Sequence, residues 1–363
     1  MRIRLFLLAL AILLIAVQPA VGQDAPNVVA TTTILADVAR NVGGDLIAVT
    51  ALVPADADTH AYEPTTDDIA RVAEADLLLA VGVGYEEFLA GLMENAGEGI
   101  PLVEVSTGIE ILAFSGDHAH EDEHADEAHA DDPMATPEAA HEDEHDHEHG
   151  AAEIIGVYGD AALECEAHEH EEEHAEGEAH ADEHEHGACD PHVWMNPLNA
   201  AIWADNIAAA FSDLDPANAE TYAANAAAYR DQLTALDTEI REIVAAVPED
   251  ARILVTNHEF IGYFAAAYGF EVVATVLPGG TTNAELEPQE LAALVELVRE
   301  EGVAAIFAEV SANPALAEVL AQEAGISVVT ALYSESLSGT DGPASTYIDF
   351  MRYNATTIAG ALS

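Results

Sequence analysis

Short β-branched or aliphatic runs alternate with segments of helical spacing on both sides of one long alanine-rich stretch, and this alternation restricts the chain to an α/β architecture. In the first half, residues 28–33, 46–53, 77–81 and 102–105 read as strands. Residues 34–42, 67–75 and 85–95 lie between them with apolar positions at helical spacing, and Gly43-Gly44 and Pro54 supply breaks. In the second half, residues 253–256, 272–276, 304–307 and 328–330 read as strands. Helices are expected at 259–268, 288–299 and 314–324, with a last one at 344–362. Strands separated by helices pair in parallel, so two lobes with mostly parallel sheets are expected.

Between the halves, Asp215-Pro216 opens an alanine-rich segment that runs to Val247 and is closed by Pro248. Asp at the N-cap and Pro at the first helical position predict one linking helix over 215–248, roughly 45 Å long. Its length suits a rigid strut between lobes at 23–214 and 249–363.

Charge and cysteine usage narrow the functional classes. The chain of 363 residues has 9 Lys+Arg against 68 Asp+Glu, a formal charge of −59, and every cation is Arg. Such a polyanion argues against nucleic acid or an anionic membrane surface as partner. Arg2 and Arg4 precede an apolar run from Leu5 to Val17, with small residues at Ala20 and Gly22. That pattern predicts a secretory signal peptide over 1–22, with an uncleaved anchor as the alternative. No Cys stands at the expected cleavage point, so a soluble, exported, periplasmic or extracytoplasmic protein without a lipid anchor is expected. The two cysteines, Cys165 and Cys189, are first read as a disulfide in an oxidising compartment. The rival reading makes Cys189 and His192 a C-x-x-H metal pair.

Residues 117–186 are of low complexity, without a single cation, and hold all but three of the 17 His. Self-repulsion and a shortage of large apolar residues predict a disordered insertion, with local pairing open to residues 154–158. His118, His120, His124, His141, His145, His147, His149, His168, His170, His174, His180, His184 and His186 are candidate auxiliary metal ligands. Mixed imidazoles and carboxylates on a flexible chain make many weak zinc sites. The tract is expected to gather zinc for the main site; a solvated spacer is the alternative.

His60, His192 and His258 lie outside the insertion. His60 follows the strand ending at Val53, His192 precedes the helix from Leu198, and His258 directly follows the strand 253–256. Ligands of open α/β sheets bind outside the carboxyl ends of the strands, so these imidazoles can converge in the cleft between lobes. His258 is placed at a helix start, whose positive end disfavours protonation and leaves the neutral ring that binds metal. Glu335, after the strand at 328–330, is the best fourth ligand, and Glu309 is the runner-up. Glu259 and Glu63 are candidate acceptors that orient an imidazole. Three His and one carboxylate favour Zn²⁺ over Mn²⁺, which prefers more oxygen.

At these residues the chain resembles the metal-binding solute-binding proteins of bacterial zinc and manganese ABC importers, closest to the periplasmic zinc-uptake branch. The resemblance rests on Asp58-Thr59-His60 followed by Tyr62-Glu63-Pro64, the stretch Asp190-Pro191-His192-Val193-Trp194-Met195-Asn196-Pro197, and Asn257-His258-Glu259. It extends to Thr346-Tyr347-Ile348-Asp349-Phe350-Met351-Arg352-Tyr353-Asn354. It implies two α/β lobes bridged by one rigid helix, metal at their interface, and His60, His192 and His258 as ligands. The manganese branch usually has Glu at the place of His258, which supports zinc. The fourth family ligand is commonly Asp, so Glu335 is a departure. The implied protein is a monomeric carrier, not an enzyme, handing Zn²⁺ to an ABC permease and its ATPase. The competing readings are a zinc hydrolase, which would need an open coordination position and a base beside it, and an extracellular zinc buffer or adhesin.

Overall fold

The computed structural model describes residues 25–97, 99–114, 153–160, 163, 165, 189–277, 288–311 and 313–363. The expected signal segment and the auxiliary histidines lie outside the described residues.

The first lobe builds a sheet from β1 (Asn27–Ala30), β2 (Ala48–Ala51), β3 (Leu77–Ala80) and β4 (Leu102–Glu104), in the order β2-β1-β3-β4. All its pairings are parallel. Helices α1 (Thr33–Gly43), α2 (Thr66–Ala73) and α3 (Leu89–Ala96) connect these strands. Thr32 caps α1 by accepting from Leu35 N, and Thr65 with Asp68 forms a capping box on α2. β1 and β3 are buried, as their unbroken aliphatic runs require. An antiparallel pair, β5 (Glu110–Leu112) with β6 (Ile154–Val157), follows; β5 carries too few residues for a sequence pattern.

The second lobe repeats the plan. β7 (Ile253–Thr256), β8 (Glu271–Thr275), β9 (Ala305–Glu309) and β10 (Ser327–Leu332) form a parallel sheet in the order β10-β9-β7-β8. Helices α6 (Gly262–Tyr268), α7 (Pro288–Glu300) and α8 (Ala315–Ala324) connect its strands, and α9 (Tyr347–Leu362) closes the chain.

Between the sheets run α4 (Pro197–Leu214) and α5 (Ala219–Val244). The long helix begins later than Asp215-Pro216 suggests. Asp215 instead ends α4, its N–H donating to Phe211 O, and Pro216–Asn218 form a 3₁₀ turn. The Asp215 carboxylate takes Asn218 Nδ2 at 2.6 Å and the Tyr222 hydroxyl at 2.8 Å, so it pins the corner between two helices. α5 keeps 26 residues, about 39 Å. Its stripe of Tyr222, Ala226, Tyr229, Leu233, Leu236, Ile240 and Val244 recurs every three or four residues and is buried against α4, α1 and α9.

One continuous core spans both lobes through these helices, with a separate cluster on the outer side of each sheet. Hydrogen bonds also cross between lobes. Trp194 Nε1 donates to Ser334 O at 2.8 Å, Leu337 N to Thr33 Oγ1 at 2.8 Å, and Leu112 N to the Tyr263 hydroxyl at 3.0 Å. Cys165 and Cys189 are joined in a disulfide, which removes the alternative of Cys189 as a metal partner of His192. Closing a loop of this length, 24 residues in separation, stabilises by about 3 kcal/mol through loop entropy.

Candidate metal centre

His60 lies on the loop after β2, and His192 at the N-terminal end of a 3₁₀ turn, Val193–Met195. His258 stands two residues beyond β7, and Glu335 three beyond β10. The fold brings these four together: one ligand atom from each lies within 4.8 Å of the others. The imidazole centroids are 5.3–5.8 Å apart. His60 Nε2 is 3.1 Å and His258 Nε2 3.4 Å from Glu335 Oε1. Those two separations match the roughly 3.3 Å edge of a tetrahedron with bonds of about 2.0 Å. His192 Nε2, His258 Nε2 and Glu335 Oε1 are buried and have no hydrogen-bond partner. Buried polar atoms left this way are costly unless a ligand satisfies them, and a divalent cation does so for all at once.

Each donor is aimed by its neighbours. Asp190 Oδ1 accepts from His192 N and faces His192 Nδ1, both at 2.9 Å, so the outward nitrogen is Nε2. Glu309 Oε1 lies 2.7 Å from His258 Nδ1, and its other oxygen accepts from the Ser334 hydroxyl. Glu309, the alternative fourth ligand, therefore sits behind His258 on the side away from the cluster. Glu335 Oε2 accepts from Thr59 N at 2.7 Å, leaving Oε1 toward the imidazoles. The orienting role expected of Glu63 falls to Asp190 and Glu309, since Glu63 is exposed; Glu259 is buried. Carboxylates behind metal-binding imidazoles fix the tautomer and raise ligand basicity.

The electrostatics overturn one expectation. His258 does not open a helix, because α6 starts only at Gly262. Burial opposes a charged ring there, but the carboxylates of Glu309 and Glu335 outweigh it and raise His258 to about 9. Any proton held there competes with an incoming cation. Burial and the neighbouring His258 and His60 push His192 well below its ordinary value, which keeps that ring neutral. Burial raises Glu335, yet the adjacent His60 and His258 and the Thr59 N–H bring it down to about 2. The cluster is thus built to receive positive charge.

Tyr85 and Trp194 wall the cluster. The Tyr85 ring is 5.5 Å from His60 and 5.9 Å from His192, and Trp194 is 4.8 Å from Tyr85. From the second lobe, Gly262 closes the space below Asp190: a Cβ there would meet Asp190 Oδ2 at 2.7 Å. Gly262→Ala is expected to push that carboxylate off His192 and weaken metal binding about tenfold while the protein stays folded. Calorimetric titration beside a thermal melt checks this; unchanged affinity would remove Asp190 from the site.

Two parallel-sheet halves with a metal-ready cluster where they face each other define a two-lobed metal-binding protein. The chain belongs to the family of zinc-uptake complex component A, periplasmic (ZnuA), whose profile matches residues 28–361. It is 30% identical over 335 residues to the iron-binding protein YfeA of Yersinia pestis, covering 92% of this chain and 85% of that protein. It is 26% identical to the manganese ABC transporter substrate-binding lipoprotein ScaA of Streptococcus gordonii, covering 93% and 89%. Its fold matches the manganese-bound periplasmic metal-binding protein of Candidatus Liberibacter asiaticus, with a TM-score of 0.67 at 24% identity over 93% of this chain and all of that one. The periplasmic zinc-binding protein TroA of Treponema pallidum gives 0.67 at 21% identity, over 94% of this chain and all of that one. Membership makes the protein a substrate-binding component of a metal ABC transporter, a carrier and not an enzyme, which implies a divalent metal as cargo and a permease with its ATPase as partners. Among the described residues no helix is long and apolar enough to cross a membrane.

Proposed function

We propose that this protein is the extracytoplasmic zinc-binding component of its importer, holding Zn²⁺ through His60, His192, His258 and Glu335. The observation that carries the metal choice is the donor set. It has three imidazole nitrogens and a single free carboxylate oxygen, because Thr59 N–H occupies the other oxygen of Glu335. Four donors rich in nitrogen suit four-coordinate zinc, whereas manganese favours six ligands dominated by oxygen. A site closed by four protein donors suits carriage, as a hydrolase keeps one position for water. Export follows from the basic and apolar N-terminal segment.

In the sequence the histidine-rich runs lie between Phe114 and Cys189, and Cys189 is three residues before His192. They gather zinc for the central site; removing 117–149 and 166–186 while sparing 153–165 should slow loading at limiting zinc, and unchanged loading would retire that role.

Metal analysis of protein purified without added metal tests the main reading. Zinc is expected at the central site, retained against excess Mn²⁺. Displacement of zinc by equimolar manganese would overturn the assignment.

A further inference from the structure

The disulfide and the metal cluster are linked by a short path through the fold. Cys189 forms an isolated bridge with Ala113, and the next residue, Asp190, donates its N–H to Leu112 O at 2.8 Å before reaching His192. At the other end of the bridge, the Cys165 carbonyl oxygen lies 2.5 Å from where a Cβ on Gly84 would stand. Gly84 ends a run of three consecutive left-handed residues, Gly82, Val83 and Gly84, with φ of 82°, 61° and 71°. A β-branched residue with positive φ is strained, so neighbours must hold this loop in place.

They do so from one side. The Tyr158 hydroxyl hydrogen-bonds the Val83 backbone and donates to Glu104 Oε2 at 2.8 Å. The Tyr158 ring would also touch a Cβ on Gly82, and Cys165 covers Gly84. The residue after the strained run is Tyr85, whose ring packs on His60 and His192. Tyr158 and Cys165 therefore seat on the loop that presents Tyr85, while the disulfide ties Cys165 to the segment that leads from Cys189 to His192.

We propose that the Cys165–Cys189 bridge is a positioning element of the metal site, holding Tyr85 and the Asp190–His192 pair in ligand geometry from opposite ends. This rests on the ligand assignment above. A simple staple would stabilise the chain without altering its hold on metal; this bridge acts on affinity, because Cys189 stands three residues before His192 and Cys165 touches Gly84, the residue before Tyr85.

The test measures Zn²⁺ affinity of the full oxidised chain by competition with a chromophoric chelator strong enough to strip weak sites. Serine replaces both cysteines, so no thiolate can bind zinc. C165S/C189S is expected to lose about 10- to 100-fold in affinity at a temperature where a melt shows it folded. Gly84→Ala, with the bridge verified intact by thiol titration, should lose at least a similar factor, since its Cβ displaces the Cys165 carbonyl and alanine is strained at a φ of 71°. Combining them should cost less than the product of the separate losses, because both act through one contact. A lower melting temperature with wild-type affinity in C165S/C189S would overturn the proposal, as would wild-type affinity in Gly84→Ala, which decides alone if the serine variant does not fold. His258→Ala run alongside separates the two levels: wild-type binding there means that the ligand assignment, not the bridge, has failed.

Discussion

His258→Ala is expected to lower zinc affinity by two to three orders of magnitude. A four-donor zinc site is worth roughly 12 kcal/mol, so losing one donor costs about 3 kcal/mol or more. Glu309→Gln should be milder, on the order of tenfold, because the amide oxygen can still accept from Nδ1 while the charge is gone. The ranking matters as much as either value. Glu309 touches Nδ1 and His258 offers Nε2 to the cluster, so the ligand must outweigh its support. Competition against a chelator of known affinity measures both; equal losses would mean that Glu309 binds the metal directly.

The second large effect concerns stability. Glu86 follows β3, and its carboxylate is buried against the end of β1. Oε1 accepts from Thr31 Oγ1 at 2.6 Å and Val81 N at 2.7 Å, and Oε2 from Gly82 N at 3.1 Å. Burial raises this acid to about 7, and the three donors only partly offset it. An unfolded Glu ionises near 4.5, so between 4.5 and about 7 the folded state holds the extra proton. The associated stability is fully present below 4.5 and is lost as the pH rises through 7. The shift corresponds to about 3 kcal/mol. Glu86→Gln cannot ionise, so wild type should lose about that much relative to the variant between pH 4 and pH 8. Chemical denaturation of both proteins across that range, taken as a difference, cancels the repulsion among the other acids; parallel stability curves would falsify the assignment.

Much of this architecture is legible in local patterns. Buried parallel strands must be aliphatic throughout, and β1, β3 and β7 lie within residues 28–33, 77–81 and 253–256 or one residue from them. The gathered side chains of His60, His192, His258 and Glu335 were legible for a related reason, as each stands at or near a strand end or a helix start. Boundaries were harder. Asp215-Pro216 carries the chemistry of a helix start, yet those residues close one helix and turn into the next, because Tyr222 and Asn218 both claim the Asp215 carboxylate.

Residue types and their period along the chain carry the class of fold, the acidity and the identity of the metal-seeking groups, because secondary structure and ligand chemistry are local. They do not carry which acid backs which imidazole. His258 and Glu309 are 51 residues apart and meet because β7 and β9 are neighbours in the order β10-β9-β7-β8. The raised proton affinity of His258, the single free oxygen of Glu335 and the seat of Cys165 on Gly84 arise the same way. Each depends on burial and on contacts between distant segments, and these exist only once the sheets have assembled and packed against α4 and α5.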